Sequence, residues 1–231
     1  MGATVLDQLR VRTRPVALAE EERLPVLGAL AGLFPGGGLR RGTTVSVGGS
    51  GGSTSLALAL LAGPSQAGSW TAVVGCPDLG LVAAAELGVD LERLALVPWP
   101  GAGGQWPTVV SALLDAVDVV AVRPPGRAKA GDVRRLTAKA RERGAVLLPV
   151  GPASWPDAAD VRLAVTGSRW DGLGPGHGRL AACQVDLTVS GRGSAARERR
   201  VTLWLPDHHG EVSAQTGTEH RFMPTLGEKS A

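Results

Sequence analysis

The chain has 231 residues, a formal net charge of +3 and a pI near 9.4. Hydrophobic residues make up 44% of it, yet no apolar run approaches the roughly 18 residues that a membrane-spanning helix requires. The absence of tyrosine, with two phenylalanines, argues against aromatic base-stacking platforms for nucleic acid. Two cysteines are too few for a disulfide framework, and the N-terminus lacks the apolar region of a secretory signal, so we expect a cytoplasmic protein with no membrane partner.

Between residues 43 and 150, short apolar runs alternate with helical patterns, which is typical of a mainly parallel sheet with crossover helices. The run "VDVVAV" predicts a fully buried central strand. We therefore predict an α/β fold with a twisted sheet flanked by helices. The predicted strands are 43–47, 70–74, 94–97, 117–122 and 145–150, and the predicted helices are 54–61, 79–87, 107–116 and 132–143.

The pattern changes after Gly151, where strand-like runs follow one another without long helices. Apolar and polar residues alternate from Cys183 to Ser190, which indicates a half-exposed antiparallel strand. We predict antiparallel strands at 161–167, 181–191 and 200–206, with a turn at 192–199. The predicted organisation is an N-terminal extension at 1–24, a core at 25–206 and a flexible polar tail at 207–231.

The stretch "TTVSVGGSGGSTSLALAL", residues 43–60, has the outline of a phosphate-binding loop between a strand and an apolar helix. A working loop reads G-x-x-x-x-G-K-[ST]: the lysine neutralises phosphate charge and the hydroxyl holds Mg²⁺. Aligned on that hydroxyl, Thr54 is the Mg²⁺ position, Ser53 takes the lysine position, and the first glycine falls on Val47. A glycine-serine linker and a weak anion site at the helix N-terminus are the alternatives. The residues of this degenerate loop are Gly48, Gly49, Gly51, Gly52, Ser53 and Thr54.

A second position tests the same chemistry. A metal-binding carboxylate belongs at the end of the buried strand, but the residue after Val122 is Arg123, whose guanidinium would repel Mg²⁺. Asp118 lies at the opposite end of the strand. The loop lysine and the metal-binding carboxylate are both absent from their expected positions. Their absence predicts a protein that is not a working NTPase and uses no cofactor.

Three segments resemble RecA: "GGLRRGTTVSVGGSGGSTSLAL", "ELGVDLERLALV" and "LLDAVDVVAV". The resemblance covers about residues 25 to 205 and implies a RecA-like fold. It places the catalytic glutamate of that family at Cys76, with Asp78 two residues on. Cys76 is therefore a lost catalytic-acid position, with a reactive thiol as the alternative to a small core residue.

Among RecA relatives the chain is most similar to the ImuA group, including its mycobacterial ImuA′ form. That resemblance implies a non-catalytic accessory protein of the SOS-induced mutasome, which replicates across DNA lesions and would bring the chain to the nucleoid. The implied partners are ImuB, an inactive Y-family polymerase, and an error-prone paralogue of the polymerase III α-subunit. The alternatives are an ATP-dependent RecA-type recombinase, in which another basic residue replaces the lysine, and an ATP-independent module that binds single-stranded DNA.

Without catalysis, function resides in surfaces. The glycine-rich stretch 166–180 corresponds to a DNA-binding loop of RecA and offers Arg169, Trp170 and Arg179 for stacking and phosphate contacts, unless it is a connector with Trp170 in the core. The predicted turn at 192–199 adds a second candidate surface for DNA or an acidic partner, unless it is simply solvated. The arginines on this turn and directly after it are Arg192, Arg197, Arg199 and Arg200.

The N-terminal segment carries Leu6, Leu9 and Val11 ahead of the core. In RecA the corresponding region packs on a neighbouring subunit. Here these residues fit an ImuB contact, self-association or a satellite of the core, and the sequence leaves the three open.

Overall fold

The computed structural model describes residues 23–49, 51–101, 104–151, 155, 159–174, 177–193 and 196–215. Its helices are α1 Gly28–Ala31, α2 Ser53–Gln66, α3 Leu81–Glu86, α4 Trp106–Ala116 and α5 Ala130–Arg143. Its first seven strands are β1 Arg23–Pro25, β2 Gly38–Arg40, β3 Val45–Gly49, β4 Thr71–Val74, β5 Leu94–Val97, β6 Val119–Val122 and β7 Val146–Pro149. The last four are β8 Val161–Gly174, β9 His177–Gly191, β10 Arg199–Trp204 and β11 Ser213–Ala214.

The centre of the fold is a parallel sheet in the order β5-β4-β6-β7. Single bridges join β7 to β3, pairing Thr44 with Leu147 and Val47 with Val150. Strand β8 continues parallel to β3, and β9, β10 and β11 follow in antiparallel order. The predicted α/β fold, with a parallel sheet flanked by helices and antiparallel strands added at its C-terminal end, is confirmed.

Strands β4, β6 and β7 form because each is a short apolar run that is buried on both faces, and every residue of the three is buried. Helix α2 lies on one face of the sheet, and α4 and α5 cover the other. The rings of Trp106 and Trp155 make an edge contact, with centroids 6.5 Å apart, in the buried cluster on the face that α4 and α5 cover. Among the described residues, no helix is long and apolar enough to cross a membrane.

Helix α2 is apolar on nearly every side because it is enclosed by the sheet and by the segment that follows β1. Gly63 is the contact point. A Cβ at this position would lie 2.6 Å from the Cα of Val26 and 2.7 Å from the carbonyl oxygen of Pro25. The absence of a side chain at Gly63 therefore lets the β1 segment lie directly on α2.

The stretch 166–180, predicted as a mobile loop, is largely a two-stranded ribbon formed by the ends of β8 and β9. Trp170 pairs with Cys183 across the ribbon. The glycines that suggested a loop serve the ribbon instead, because Gly172 and Gly178 have φ of +98° and +109° and approach the opposite backbone too closely for a Cβ. The loop prediction was wrong for residues 166–174 and 177–180, which belong to strands β8 and β9 and which we call the β8–β9 ribbon.

The ends of the core differ slightly from the predicted boundaries. Strand β1 begins at Arg23 and pairs with β2, which places the last two residues of the predicted extension in the core. Strand β11, which lies in the segment predicted as a flexible tail, pairs with β10. Residues 216–231, and the N-terminal Leu6, Leu9 and Val11, lie outside the described residues.

Candidate functional site

The turn between β3 and α2 keeps the backbone shape that a phosphate loop would need. Gly49, Gly51 and Gly52 have φ of +102°, +65° and +88°, in the region that favours glycine. The carbonyl oxygen of Gly52 accepts the first helical hydrogen bond, from the Leu56 N–H at 2.9 Å. Backbone N–H groups at the start of α2 therefore still form a helix N-terminus at this turn.

The residue in the lysine position is a neutral side chain at the first helical position. Ser53 begins α2 and is 9% exposed. The opposite strands contribute apolar side chains nearby, since a Cβ on Gly52 would lie 3.6 Å from Val185 and 3.9 Å from Val165. Ser53 therefore offers a hydroxyl, without positive charge, in a setting where valines crowd the loop.

Arg123 occupies the metal side of the loop. It directly follows β6, and its Nη2 donates to Thr54 Oγ1 at 2.8 Å while its Nη1 donates to Asp78 Oδ1 at 2.7 Å. The Arg123 side chain is 28% exposed and that of Asp78 is 71% exposed. One guanidinium thus joins the N-terminus of α2 to the loop that follows β4.

The neighbouring glycine of that loop lets the chains approach. Gly75 has φ +76°, and a Cβ there would come closer than 3.0 Å to the carbonyl oxygen of Arg123. The backbones after β4 and β6 are therefore in direct contact. This contact fixes the point from which the Arg123 side chain reaches Thr54.

The residues present do not fit a nucleotide with its Mg²⁺ ion. The Thr54 hydroxyl, which would be a metal ligand, accepts a hydrogen bond from a guanidinium instead. A divalent cation on the same oxygen would lie beside the Arg123 charge, and the Ser53 position supplies no cation for the phosphates. Within the described part of the chain, no group of three or more histidine, cysteine, aspartate or glutamate side chains could hold a metal.

Cys76, aligned with the lost catalytic glutamate, is a buried side chain. It is 3% exposed, and burial raises the pKa of its thiol, an effect that the nearby Arg123 charge partly offsets. A thiol that stays protonated and covered is a poor nucleophile. The geometry favours the small core residue over the reactive thiol, and the nearby acid Asp78 is engaged by Arg123.

Sequence reasoning missed an ion pair at the opposite end of β6. Asp118, 4% exposed, accepts a hydrogen bond from Arg41 Nη1 at 2.8 Å and another from the Trp70 N–H at 3.1 Å. In the sequence, this ion pair was indicated by a single acidic residue at the start of an apolar strand. Asp118 holds the β2–β3 turn against the sheet, which is a structural role.

The candidate contact residues of the β8–β9 ribbon are exposed. Arg169 donates to Gln184 Oε1 at 2.6 Å, and Trp170 is 44% exposed, so Trp170 is not a core residue. Arg179 lies on the paired strand and is also exposed. The ribbon therefore brings these three residues to one projecting element.

The four arginines near the predicted turn lie in different local settings, although Arg197 and Arg199 line the same surface cavity. Arg192 follows β9, and its backbone N–H donates to the Asp160 carbonyl oxygen at 2.9 Å. Arg199 begins β10 and donates from Nη2 to the Leu33 carbonyl oxygen at 2.7 Å, with Arg200 next to it on the strand. Arg197 lines a surface cavity beside Phe34. Only part of the predicted surface is therefore a turn.

A strand–loop–helix unit on a parallel sheet, with the site at the carboxyl ends of β3, β4 and β6, defines a RecA-like α/β protein. The crystal structure of the flagellar accessory protein FlaH from Methanocaldococcus jannaschii matches this fold with a TM-score of 0.58. The match covers 85% of this chain and 99% of that chain at 11% sequence identity, so it speaks to the fold alone.

The chain belongs to the MT3502 N-terminal domain family, whose sequence profile matches residues 32–157. It is also 36% identical over 203 residues to the Mycobacterium tuberculosis (strain ATCC 25618 / H37Rv) protein named "Uncharacterized protein Rv3395c", covering 83% of this chain and 93% of that protein. The RecA-like fold that the resemblance implies is confirmed. Its ImuA part, with the nucleoid location that it implies, stays a prediction.

Proposed function

We propose that this chain is a RecA-like adaptor that works without nucleotide, with Arg123 as a built-in cation where a related ATPase would place its metal. The observation that carries the proposal is the pair of hydrogen bonds from the Arg123 guanidinium to Thr54 and Asp78. An arginine stays charged at every physiological pH. Arg123 thus joins the loop to Asp78 without a ligand, where a related ATPase would use a metal and a triphosphate.

The charge balance supports the same conclusion. A phosphate loop surrounds a polyanion with one lysine and one metal ion. None of the three lysines of this chain, Lys129, Lys139 and Lys229, lies within the loop itself at residues 48–54. Arg123 supplies one positive charge, and its two Nη atoms are committed to protein acceptors. Activity therefore resides in the surfaces of the fold.

The finer proposal is that these surfaces serve a translesion synthesis complex. The similarity to the ImuA group suggests an accessory role in the SOS-induced mutasome. Its partners would be an ImuB-like inactive Y-family polymerase and an error-prone paralogue of the polymerase III α-subunit. A rigid core whose loop does not open and close on nucleotide suits a scaffold, because its binding surfaces keep one arrangement.

Nucleotide titration tests the first proposal. We expect labelled ATP with Mg²⁺ to bind the wild-type protein with a Kd above about 1 mM, measured by fluorescence anisotropy, and no turnover to be detected. Replacing Ser53 with lysine together with Arg123→Asp restores one cation and one carboxylate. We expect this double variant to bind at least about tenfold more tightly, since a hydrogen bond to a charged group contributes roughly 1.5–3 kcal/mol.

Ala67→Lys is the matched control, because it adds a lysine at an exposed position at the other end of α2 and is expected to leave ATP binding unchanged. Arg123→Ala distinguishes the adaptor proposal from the rival hypothesis of a working ATPase. Micromolar binding and hydrolysis by the wild type, both lost in Arg123→Ala, would mean that Arg123 serves the phosphates, and the adaptor proposal would then be wrong.

Co-purification tests the finer proposal. We expect the tagged chain to retain an ImuB-like partner from the same genome at high salt, whether or not Mg²⁺-ATP is present. Variants lacking residues 1–22 or 216–231 leave every described element intact and report whether either terminus carries the contact. Partner retention that requires ATP would contradict the proposal, as would failure to bind any polymerase-like partner.

A further inference from the structure

Four large apolar side chains between residues 81 and 99 are exposed to solvent. Leu81 and Val82 of α3, Leu91 ahead of β5 and Trp99 after β5 are 43%, 74%, 41% and 78% exposed. We call these four residues the α3–β5 strip. They lie in α3 and in the segments that flank β5, and α3 contacts the turn that carries Leu91. Adjoining exposed apolar groups mark contact surfaces rather than ordinary solvent-facing positions.

Helix α3 is unusual for a surface helix because its exposed side is apolar. Its sequence is LVAAAE, and Ala84 is its one buried residue. A solvent-facing helix normally carries charged and polar residues on its outer side. The composition of α3 therefore suits a helix that is covered by another segment.

The strip adjoins an open sheet edge. Among the described strands, β5 pairs with β4 alone, and all four of its residues are half-buried. The outer side of β5 thus presents backbone N–H and C=O groups to any added strand. Leu91 and Trp99 lie at the two ends of this edge in the sequence.

The charge of this region is opposite to that of the rest of the chain. Residues 76–100 contain four acids, against Arg93 as their single base, which gives a net charge of −3. The whole chain has a net charge of +3, so the remainder carries +6. A basic and partly apolar segment is therefore the complementary occupant. The four acids are Asp78, Glu86, Asp90 and Glu92.

The chain contains such a segment ahead of its first strand. Residues 9–14 read LRVRTR, with Leu9, Val11 and Thr13 alternating with three arginines. Alternation with a period of two is the pattern of a strand with one apolar face. This stretch has the alternation of a strand and an apolar face suited to the strip. Its positive charge is opposite to the net charge of residues 76–100.

The tether between this stretch and the core has eight residues. Residues 15–22 span roughly 26 Å when extended, at about 3.3 Å per residue. The segment joins the core at Arg23. Helix α2 contacts the chain next to this point, where Gly63 lies against Val26. The same helix contacts the chain next to α3, where Gln66 donates a hydrogen bond to the Gly88 carbonyl oxygen. A short tether of this kind gives an effective concentration in the millimolar range, which favours contact within one molecule.

We propose that residues 9–14 add as a strand to the open edge of β5 in the same molecule, covering the α3–β5 strip. The proposal stands apart from the nucleotide and translesion proposals, because neither ligand nor partner enters it. In the free protein the strip is then occupied, and a partner that binds there must first displace the N-terminal strand.

Hydrogen exchange with mass spectrometry on the full chain tests this proposal. We expect peptides that cover residues 92–99 to exchange about tenfold more slowly in the wild type than in Val11→Asp, which breaks the apolar face of the segment. Val82→Lys adds a positive charge to the strip itself, at a position where solvent already reaches the side chain, and should give the same acceleration.

Two matched controls keep the test sharp. Thr4→Asp lies ahead of the alternating stretch, and Leu173→Asp changes another exposed apolar side chain, 62% exposed, on the β8–β9 ribbon. Both should exchange like the wild type, with a monomeric mass by light scattering. Equal exchange in wild type and Val11→Asp would overturn the proposal. Protection that rises with protein concentration alongside a dimer mass would also overturn it, because the strand would then come from a second copy.

Discussion

Replacing Gly49 with alanine is expected to lower the free energy of unfolding by about 4 kcal/mol or more, or to prevent folding. Gly49 has φ +102°, where an L side chain is strained, and its Cβ would come closer than 3.0 Å to the backbone of Val165 in the neighbouring strand β8. The backbone cannot yield without separating β3 from β8. Urea denaturation followed by circular dichroism measures the change.

Gly48→Ala is the control for this prediction. Gly48 lacks the positive φ, and a Cβ on it would meet the Gly151 carbonyl oxygen at 3.6 Å, an ordinary contact. We expect a change of less than about 1 kcal/mol from the adjacent substitution. If both variants were equally stable, the tight approach of β3 to β8 would not exist in solution.

The prediction bears on why a phosphate loop persists without its chemistry. Gly49 is required by strand packing, and Gly52 lies against Val165 and Val185 at van der Waals distance. These requirements are set by β8 and β9, with no phosphate involved. The glycines of the loop are therefore explained by the fold, and their presence is not a sign of nucleotide binding.

The parallel part of the fold was predictable because its strands are buried on both faces. Each strand of that kind is a continuous apolar run, and "VDVVAV" and "AVLLPV" fell on β6 and β7. The position of Arg123 at the end of β6 followed directly from the strand ending at Val122. Local pattern and chain order were sufficient for these statements.

The contacts of the site were not predictable, because they join residues far apart in sequence. Arg123 and Asp78 are 45 positions apart, and Arg123 and Thr54 are 69 apart. The sequence indicated that the arginine would repel a metal, and it did not indicate that the guanidinium bonds to the would-be metal ligand. Such pairings depend on how the strand ends are arranged in space.

The prediction for the residues of the β8–β9 ribbon was wrong for a different reason. Glycine favours loops and is also needed where strands bulge and approach closely, and composition alone does not separate the two. Gly172 and Gly178 belong to the second kind. The exposed Trp170 follows from the ribbon, since its paired strands project past the point where β3 ends.

The second large effect is expected at the buried acid that opens β6. Asp118→Ala should lower the free energy of unfolding by about 3 kcal/mol, because removing one partner of a buried ion pair deprives the other of that charged hydrogen bond. The Trp70 N–H loses its acceptor, and Arg41, whose side chain is 24% exposed, is partly rehydrated, which limits the loss. Chemical denaturation of purified variants measures it.

Asp115 supplies the matched control, because it also pairs with basic side chains but is 41% exposed. It lies 2.8 Å from Lys139 Nζ and 2.7 Å from Arg143 Nε, and Asp115→Ala should cost less than about 1 kcal/mol because solvent screens such pairs. High salt should weaken the Asp115 contribution further and leave that of Asp118 nearly unchanged. Equal costs for the two variants would mean that Asp118 is hydrated in solution, and the β2–β3 turn would then be held by packing alone.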